Sequence, residues 1–275
     1  MDLFSNATDG KNKVCYKIKV QAPFATYKKP YATSSQPSFY LPPLTTLMGM
    51  FGAILGIPRD KYYNLFNDVR FSLQIISPVL KKTVQNLNLV NNTEYFKTGI
   101  IKVSAQIPTE LVLDSEFYVY MFILDLEKFL KGISNVLSHN FQLEDLEDII
   151  TNSKTVFSLN LGKAFNLASY KFINKYKDFK RIKIGEEIKE KEVYTVVNPA
   201  LNNVKLNGEG SVIFYEKDIP AEFDYDEKKR KRILKSQYDL VFSVNNSLTI
   251  TSGYVFQLEE NEFVTLMYDK RSEDA

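Results

Sequence analysis

The sequence predicts an α+β protein, with a ferredoxin-like domain over 1–162 and a smaller β-rich domain over 163–275. Three observations carry this. Residues 14–22 alternate apolar and polar with period two, the mark of a half-buried strand. Two later segments, 47–57 and 126–137, space their apolar residues as helices do. Apolar runs at 69–76, 117–124 and 155–161 read as further strands, so the order is strand, helix, strand, strand, helix, strand. That is the ferredoxin-like order, which RNA-binding modules often use.

In the first strand Val14, Tyr16, Ile18, Val20 and Ala22 share one face, and Cys15, Lys17, Lys19 and Gln21 share the other, so the strand has a basic face. Pro23 ends it. A polar, aromatic loop over 24–40 follows, and Pro42-Pro43 stops any extended run. The hydroxyl of Thr45 or Thr46 can cap the helix over 47–57. That helix holds Gly49, Gly52 and Gly56, each costing about 1 kcal/mol against alanine. Close approach of the helix to a sheet, or of its N-terminus to a ligand, would offset the cost. A short helix fits 60–68 and a strand 69–76. The stretch 81–102 is polar and asparagine-rich, and reads as a protruding hairpin or mobile loop. Residues 117–124 form a strand apolar on both faces. Asp125 caps the next helix, along which Leu126, Phe129, Leu130, Ile133 and Leu137 keep helical spacing. The remainder reads as short strands at 192–197, 211–215, 239–244, 254–258 and 263–268, with a helix at 228–236.

A chain of 275 residues with 44% hydrophobic and 25% charged composition builds a core and is neither disordered nor fibrous. One cysteine excludes an internal disulfide and multi-cysteine metal sites, and one histidine excludes histidine-rich ones. The run 47–57 is too short to span a bilayer, which needs about 20 residues. The start MDLFSNATDGKNK lacks the apolar core of a secretion signal, so a cytoplasmic protein with no membrane role is expected. Net charge is +2 but uneven. Residues 1–110 hold 13 Lys and Arg against 6 Asp and Glu, 111–160 hold 3 against 8, and the rest 19 against 19. A basic first part suits a polyanion on one face, and equally suits solvated lysines.

The loop 24–40 interleaves rings and cations. Bases stack on rings while lysines neutralise phosphates, so Tyr27, Lys28, Lys29, Tyr31 and Tyr40 suit a splayed single strand. Thr45, Thr46, Met48 and Gly49 open a helix whose free amides can hold a phosphate. Lys81, Lys82, Lys97 and Lys102 flank the polar protrusion. Lys163 follows Leu161-Gly162, ahead of the dense basic-aromatic run 170–183, which could track phosphates or face solvent. His139 ends a predicted helix, where it complements the dipole; as a general base it would lack a neighbouring lysine. Cys15 reads as inert and the acidic 144–148 as surface charge. No phosphate-binding P-loop, nucleophile elbow or metal cluster is present in the pattern, so no cofactor and no metal are expected.

The segment SFYLPPLTTLMGMFGAILGI, Ser38 to Ile57, resembles the signature of the CRISPR-associated Cas five family, part of the RAMP superfamily. KVCYKIKVQAPFATYKKP (13–30), FSLNLGKAFNLASY (157–170) and YEKDIPAEFDYDEKKR (215–230) agree with further family blocks in order and spacing. The glycine-rich C-terminal loop common in that superfamily is reduced here to Gly208-Glu-Gly210. The resemblance implies a subunit of the type I interference complex, Cascade. It would hold the 5′ handle of crRNA, abut the large subunit and a backbone RAMP subunit, and meet target DNA only through the complex. It implies that 81–104 is the projecting thumb hairpin, and that Ser38 lies at the RNA with the residues named above. One subtype of the family cuts precursor crRNA without metal, using a tyrosine, a lysine and a histidine; Phe39 falls near that tyrosine's place, beside Tyr40, and no Lys-His pair exists. The expectation is therefore a non-catalytic RNA-binding subunit. The alternatives are that endoribonuclease, or an interaction subunit of an unrelated assembly.

Overall fold

The computed structural model describes residues 12–32, 34–59, 61–90, 96–100, 103–205, 212–226 and 231–269. The chain is mixed α+β, with many strands and few helices. In order come β1 (Val14–Ala25), β2 (Tyr27–Lys28), β3 (Ser38–Phe39), α1 (Leu44–Leu55), β4 (Val69–Ile75), β5 (Lys81–Val90), β6 (Val103–Ile123), α2 (Leu126–Leu137), α3 (Leu143–Thr151) and β7 (Ser169–Tyr176). The second half adds β8 (Lys180–Ile184), β9 (Lys191–Val193), β10 (Asn203–Lys205), β11 (Ile213–Asp226), β12 (Lys231–Ser243), β13 (Leu248–Glu259) and β14 (Glu262–Val264). Among the described residues no helix is long and apolar enough to cross a membrane.

The main sheet runs β4-β6-β1-β7, every pairing antiparallel. The alternation read in β1 sorts its two faces as expected. Tyr16, Ile18 and Val20 are buried against the helices, with Leu47 and Phe51 of α1, Ile133 of α2 and Leu146 of α3 in the same core. Asp125 caps α2 by accepting from the Lys128 amide at 3.1 Å. The fourth strand of the sheet is β7, not 155–161. That segment makes only an isolated bridge from Asn160 to Leu167, and the amides of Val156 and Phe157 bond back to the C-terminal turn of α1. The expected boundary at 162/163 therefore falls before the strand that completes the sheet. Core contacts cross it as well: Ile219 of β11, Leu240 and Phe242 of β12 and Met267 lie in the same cluster as β1 and α1.

Three other expectations change. Of 60–68 only Leu65–Asp68 is helical, as one 3-10 turn. The segment 228–236 is not a helix: 228–230 lie outside the described residues and the rest belongs to β12, which pairs with β11 in a two-stranded hairpin. The charged spacing there is the alternation of a strand with a solvated face. Gly49 and Gly52 of α1 lie against the Tyr62 side chain rather than against a sheet. A Cβ on Gly49 would sit 3.2 Å from the Tyr62 hydroxyl, and one on Gly52 3.1 Å from the Tyr62 ring, so the two glycines admit that side chain across the helix.

β5 and β6 pair from Lys81 and Leu113 out to Val90 and Val103, well past the main sheet. The inner end of β6 is buried. The outer part exposes Thr83, Val84, Gln85, Asn86, Ala105, Gln106 and Pro108, so it stands off the body as a hairpin.

Candidate nucleic-acid interface

The sheet face away from the helices is closed. Cys15, Tyr120, Phe122 and Tyr176 on that face pack against Phe256, Leu258 and Val264 of the C-terminal strands. The basic face expected for β1 is therefore an internal joint. Glu262 of β14 accepts from the Lys17 ammonium at 2.6 Å, from the Tyr120 hydroxyl at 2.8 Å and from the Tyr176 hydroxyl at 2.5 Å. Burial pushes the Glu262 carboxyl up, but these donors outweigh it and hold the group below its usual value. Both tyrosines are pushed up, burial first and Glu262 next. Burial likewise raises the Cys15 thiol well above its usual value, which removes the thiolate a reactive cysteine needs. Bases cannot stack on this sheet as they do on an open RNA-binding sheet. A polyanion must instead meet loops, edges and the hairpin.

The loop after β1 supplies such a surface. β2 and β3 pair Tyr27 with Phe39 and Lys28 with Ser38, which folds the loop into a small ribbon. The expected residues divide between the core and the surface. Tyr27 is 2% exposed and Ser38 fully buried, where its hydroxyl donates to the Phe39 carbonyl and accepts from the Tyr27 amide. Tyr27 is therefore a core residue and not a stacking platform. Lys28 and Tyr31 are exposed, and Lys29 lies with its ammonium 4.9 Å from the centre of the Phe39 ring.

Lys82, at the root of the hairpin, is committed to the fold. Its ammonium donates to the Ser38 carbonyl, sits 3.2 Å from the Glu110 carboxylate and lies 3.9 Å from the centre of the Tyr40 ring. Tyr40 is half-buried; its amide donates to Glu216 at 2.8 Å and its ring meets Phe214 edge-on at 5.4 Å. Burial raises the Glu216 carboxyl, against the pull of the Tyr40 amide, Lys82 and Lys29. Glu110 is lowered: burial opposes ionisation, but the Ser38 amide, Lys82 and Lys29 prevail. A shallow cleft results, walled by Lys29, Tyr31, Tyr40 and Lys82 on one side and Tyr215 and Lys217 on the other. Sequence reasoning did not nominate Glu110, Tyr215, Glu216 or Lys217. No local signal could have, since their meeting depends on where β6 and β11 pass the loop.

The Leu161-Gly162-Lys163 turn abuts the same ribbon. Gly162 has φ +90°, and a Cβ there would lie 1.7 Å from the Thr26 carbonyl oxygen, so only glycine fits. The Thr26 amide donates to the Leu161 carbonyl at 3.1 Å, and the buried Asn166 amide group donates to the Thr26 hydroxyl at 3.0 Å. This fixes Lys163, whose ammonium donates to Gln36 Oε1 at 2.5 Å.

The remaining expected residues are not brought there. α1 begins at Leu44 after Pro43, with no side-chain cap from Thr45 or Thr46, which are half-buried. The Leu44 amide is taken by the Tyr238 hydroxyl and the Thr46 amide by the Pro43 carbonyl, so this helix end is spent internally. Met48 is buried in the core and Gly49 lies under Tyr62. Lys81 and Lys97 are exposed, and Lys102 lies outside the described residues. Of the basic run 170–183, Tyr170, Tyr176 and Phe179 are buried and Lys175 pairs with Glu147. His139 is exposed after α2, with Nδ1 3.4 Å from the Leu137 carbonyl and its ring 6.3 Å from Phe141. Among the described residues no three His, Cys, Asp or Glu side chains gather as metal ligands do.

An α+β chain with a closed sheet face, a projecting hairpin and a cationic, aromatic ribbon at its root is the class these observations define. Residues 15–139 match the family model described as CRISPR-associated protein (Cas_Cas5). That stretch holds the motif at 38–57 and most of the one at 13–30. No curated protein matches the chain significantly. Solved structures with similar folds include a CRISPR RNA-guided surveillance complex (TM-score 0.42, 12% identity, 84% of this chain and 90% of that one). Another is the Type III-B Cmr-beta complex bound to cognate target RNA and AMPPnP (0.45, 11%, 86% of each). A third is a functionally uncharacterized protein from Streptococcus mutans (0.38, 13%, 85% and 94%).

Proposed function

We propose that this chain is a non-catalytic, RNA-binding structural subunit of a type I CRISPR interference complex, Cascade, where it holds the 5′ handle of crRNA. The observation that carries the reading is the family match over 15–139, the stretch that holds both the ribbon and the hairpin. The sheet order β4-β6-β1-β7 supports the ferredoxin-like arrangement of RAMP proteins, and the β5–β6 hairpin supports the thumb. RNA would run over the ribbon, with phosphates on Lys28, Lys29 and Lys163 and bases on Tyr31 and Tyr40. The hairpin and the strands beyond 163 would face the large and backbone subunits, in a cytoplasmic complex, with target DNA met through the complex alone. The test is co-expression with the other subunits, then extraction and sequencing of the RNA that copurifies. Repeat-derived RNA with a defined 5′ end, lost when Lys28 and Lys29 become glutamate, is the expected result. A complex that forms without this chain and keeps the same RNA 5′ end refutes it.

A further inference from the structure

The β5–β6 hairpin has two outer edges, and the fold treats them differently. Gln36 covers the β6 edge: its amide donates to the Pro108 carbonyl at 2.8 Å, and its carbonyl accepts from the Glu110 amide at 2.9 Å. Pro108 has no N–H to offer there, so this edge is both covered and blunted. Backbone groups alternate in direction along a strand. Pro108 and Glu110 point off the hairpin, so Ile107 and Thr109 point into it, as do their partners Leu87 and Gln85. Val84, Asn86 and Asn88 therefore turn their N–H and C=O groups outward along β5. Among the described residues β5 pairs with β6 alone, and the register is unbroken from Lys81 to Leu89. Val84, Asn86 and Asn88 are exposed, Val84 at 63%. Folded monomers guard such an edge with charge, proline or a bulge. Between Thr83 and Leu89 β5 has none of these.

We propose that β5 pairs edge to edge with β5 of a second copy of this chain, antiparallel about a two-fold axis at Asn86. On that axis Asn86 meets its own equivalent, and Val84 of one copy faces Asn88 of the other, so the outward amides of these residues find carbonyls. Charge selects this occupant. An identical strand brings identical charges, so a charged edge repels its own copy, whereas the run TVQNLNLV from Thr83 to Val90 carries no charge. A two-stranded hairpin is only marginally stable in water, and the pairing turns two of them into one four-stranded sheet. Assembly stops at two copies, because the isologous contact uses both β5 edges and Gln36 covers the β6 edges. One short ladder buries little area, so the pair is weak and exchanges with monomer. The proposal is independent of RNA binding.

The test is sedimentation equilibrium of the full chain from about 1 μM to about 1 mM, the range of weak association. The weight-average mass is expected to rise with concentration toward twice the monomer mass and to stop there, unchanged by salt because no charges meet at the joint. Hydrogen exchange at the Val84, Asn86 and Asn88 amides should slow over the same range, while Gln85 and Leu87 stay protected throughout. Asn86→Pro removes an outward N–H without touching the β5–β6 ladder. Asn86→Lys sets two ammonium groups opposite each other on the axis. Each variant should stay monomeric over the whole range with the melting temperature of the wild-type monomer. Should the proline variant fail to fold, the lysine variant gives the same reading from an exposed side chain. A chain that is monomeric at every concentration overturns the proposal. So does a dimer that survives both variants, that dissolves in salt, or whose Asn86 amide exchanges as freely as the monomer's, and so does a mass that grows beyond two copies.

Discussion

Replacing Glu262 with glutamine tests what joins the two sheets. The carboxylate is the common acceptor for Lys17, Tyr120 and Tyr176, which come from β1, β6 and β7. Glutamine keeps the shape but leaves the Lys17 ammonium without a counter-charge. Breaking a fully buried pair costs about 3–5 kcal/mol. The Lys17 and Glu262 side chains are 14% and 24% exposed, so water recovers part of that, which leaves about 2–3 kcal/mol. For a chain of this size the melting temperature should fall by about 5–10 °C. The sign with pH follows from the direction of the shift. Glu262 is held below its unfolded value of about 4.3, so its stabilisation is present above that pH and is lost as pH falls through the lower, folded value. Melting of wild type and Glu262→Gln between pH 7 and pH 3 should show the full gap at neutral pH and a closing gap below about pH 4. Curves that coincide within about 1 °C at neutral pH, or a gap that stays constant down to pH 3, would refute the reasoning.

Tyr27→Ala should act as a core truncation, costing about 3–5 kcal/mol of stability, whereas Tyr31→Ala at a ring 59% exposed should melt like wild type and weaken RNA binding by about 1–3 kcal/mol; thermal melts beside RNA titrations check the contrast, and equal melting of the two variants contradicts it. Replacing 84–106 by a glycine-serine turn, with Lys82 retained, should leave the fold intact and abolish assembly with the partner subunits, because the outer hairpin contributes little to the core; an unfolded variant shows that it belongs to the core. Gly162→Ala should cost at least about 1–3 kcal/mol, since a Cβ there meets the Thr26 carbonyl at 1.7 Å, and it should lower RNA retention by displacing Lys163. Pure protein incubated with labelled repeat RNA in chelator should leave it uncut, with His139→Ala no different; specific cleavage lost in that variant would make the chain an endoribonuclease.

The alternation in β1 and the helical spacing of α2 were legible because each element's apolar residues point at one core, and that needs only a local period. The Asp125 cap was legible for the same reason, being an interaction over three residues. The loop 24–40 was legible as cationic and aromatic, and the motifs there and at 38–57 carried a resemblance that the match over 15–139 repeats. Its inward and outward sides were not. Tyr27 and Tyr31 have the same chemistry, but Tyr27 is buried where it pairs with Phe39 and Tyr31 is exposed in the turn beyond the ribbon. The segment 155–161 has the apolar content of a strand, yet strand formation is decided by a partner edge, and β7 takes the free edge of β1. Lys17 read as a solvated cation on a half-buried strand until β14 placed Glu262 against it, 245 residues along the chain. Lys82 and Lys163 looked alike as isolated lysines. Tertiary structure gives the first a carboxylate and the second a neighbouring cation, and charge neutralisation depends on distance through space, which a one-dimensional pattern does not encode.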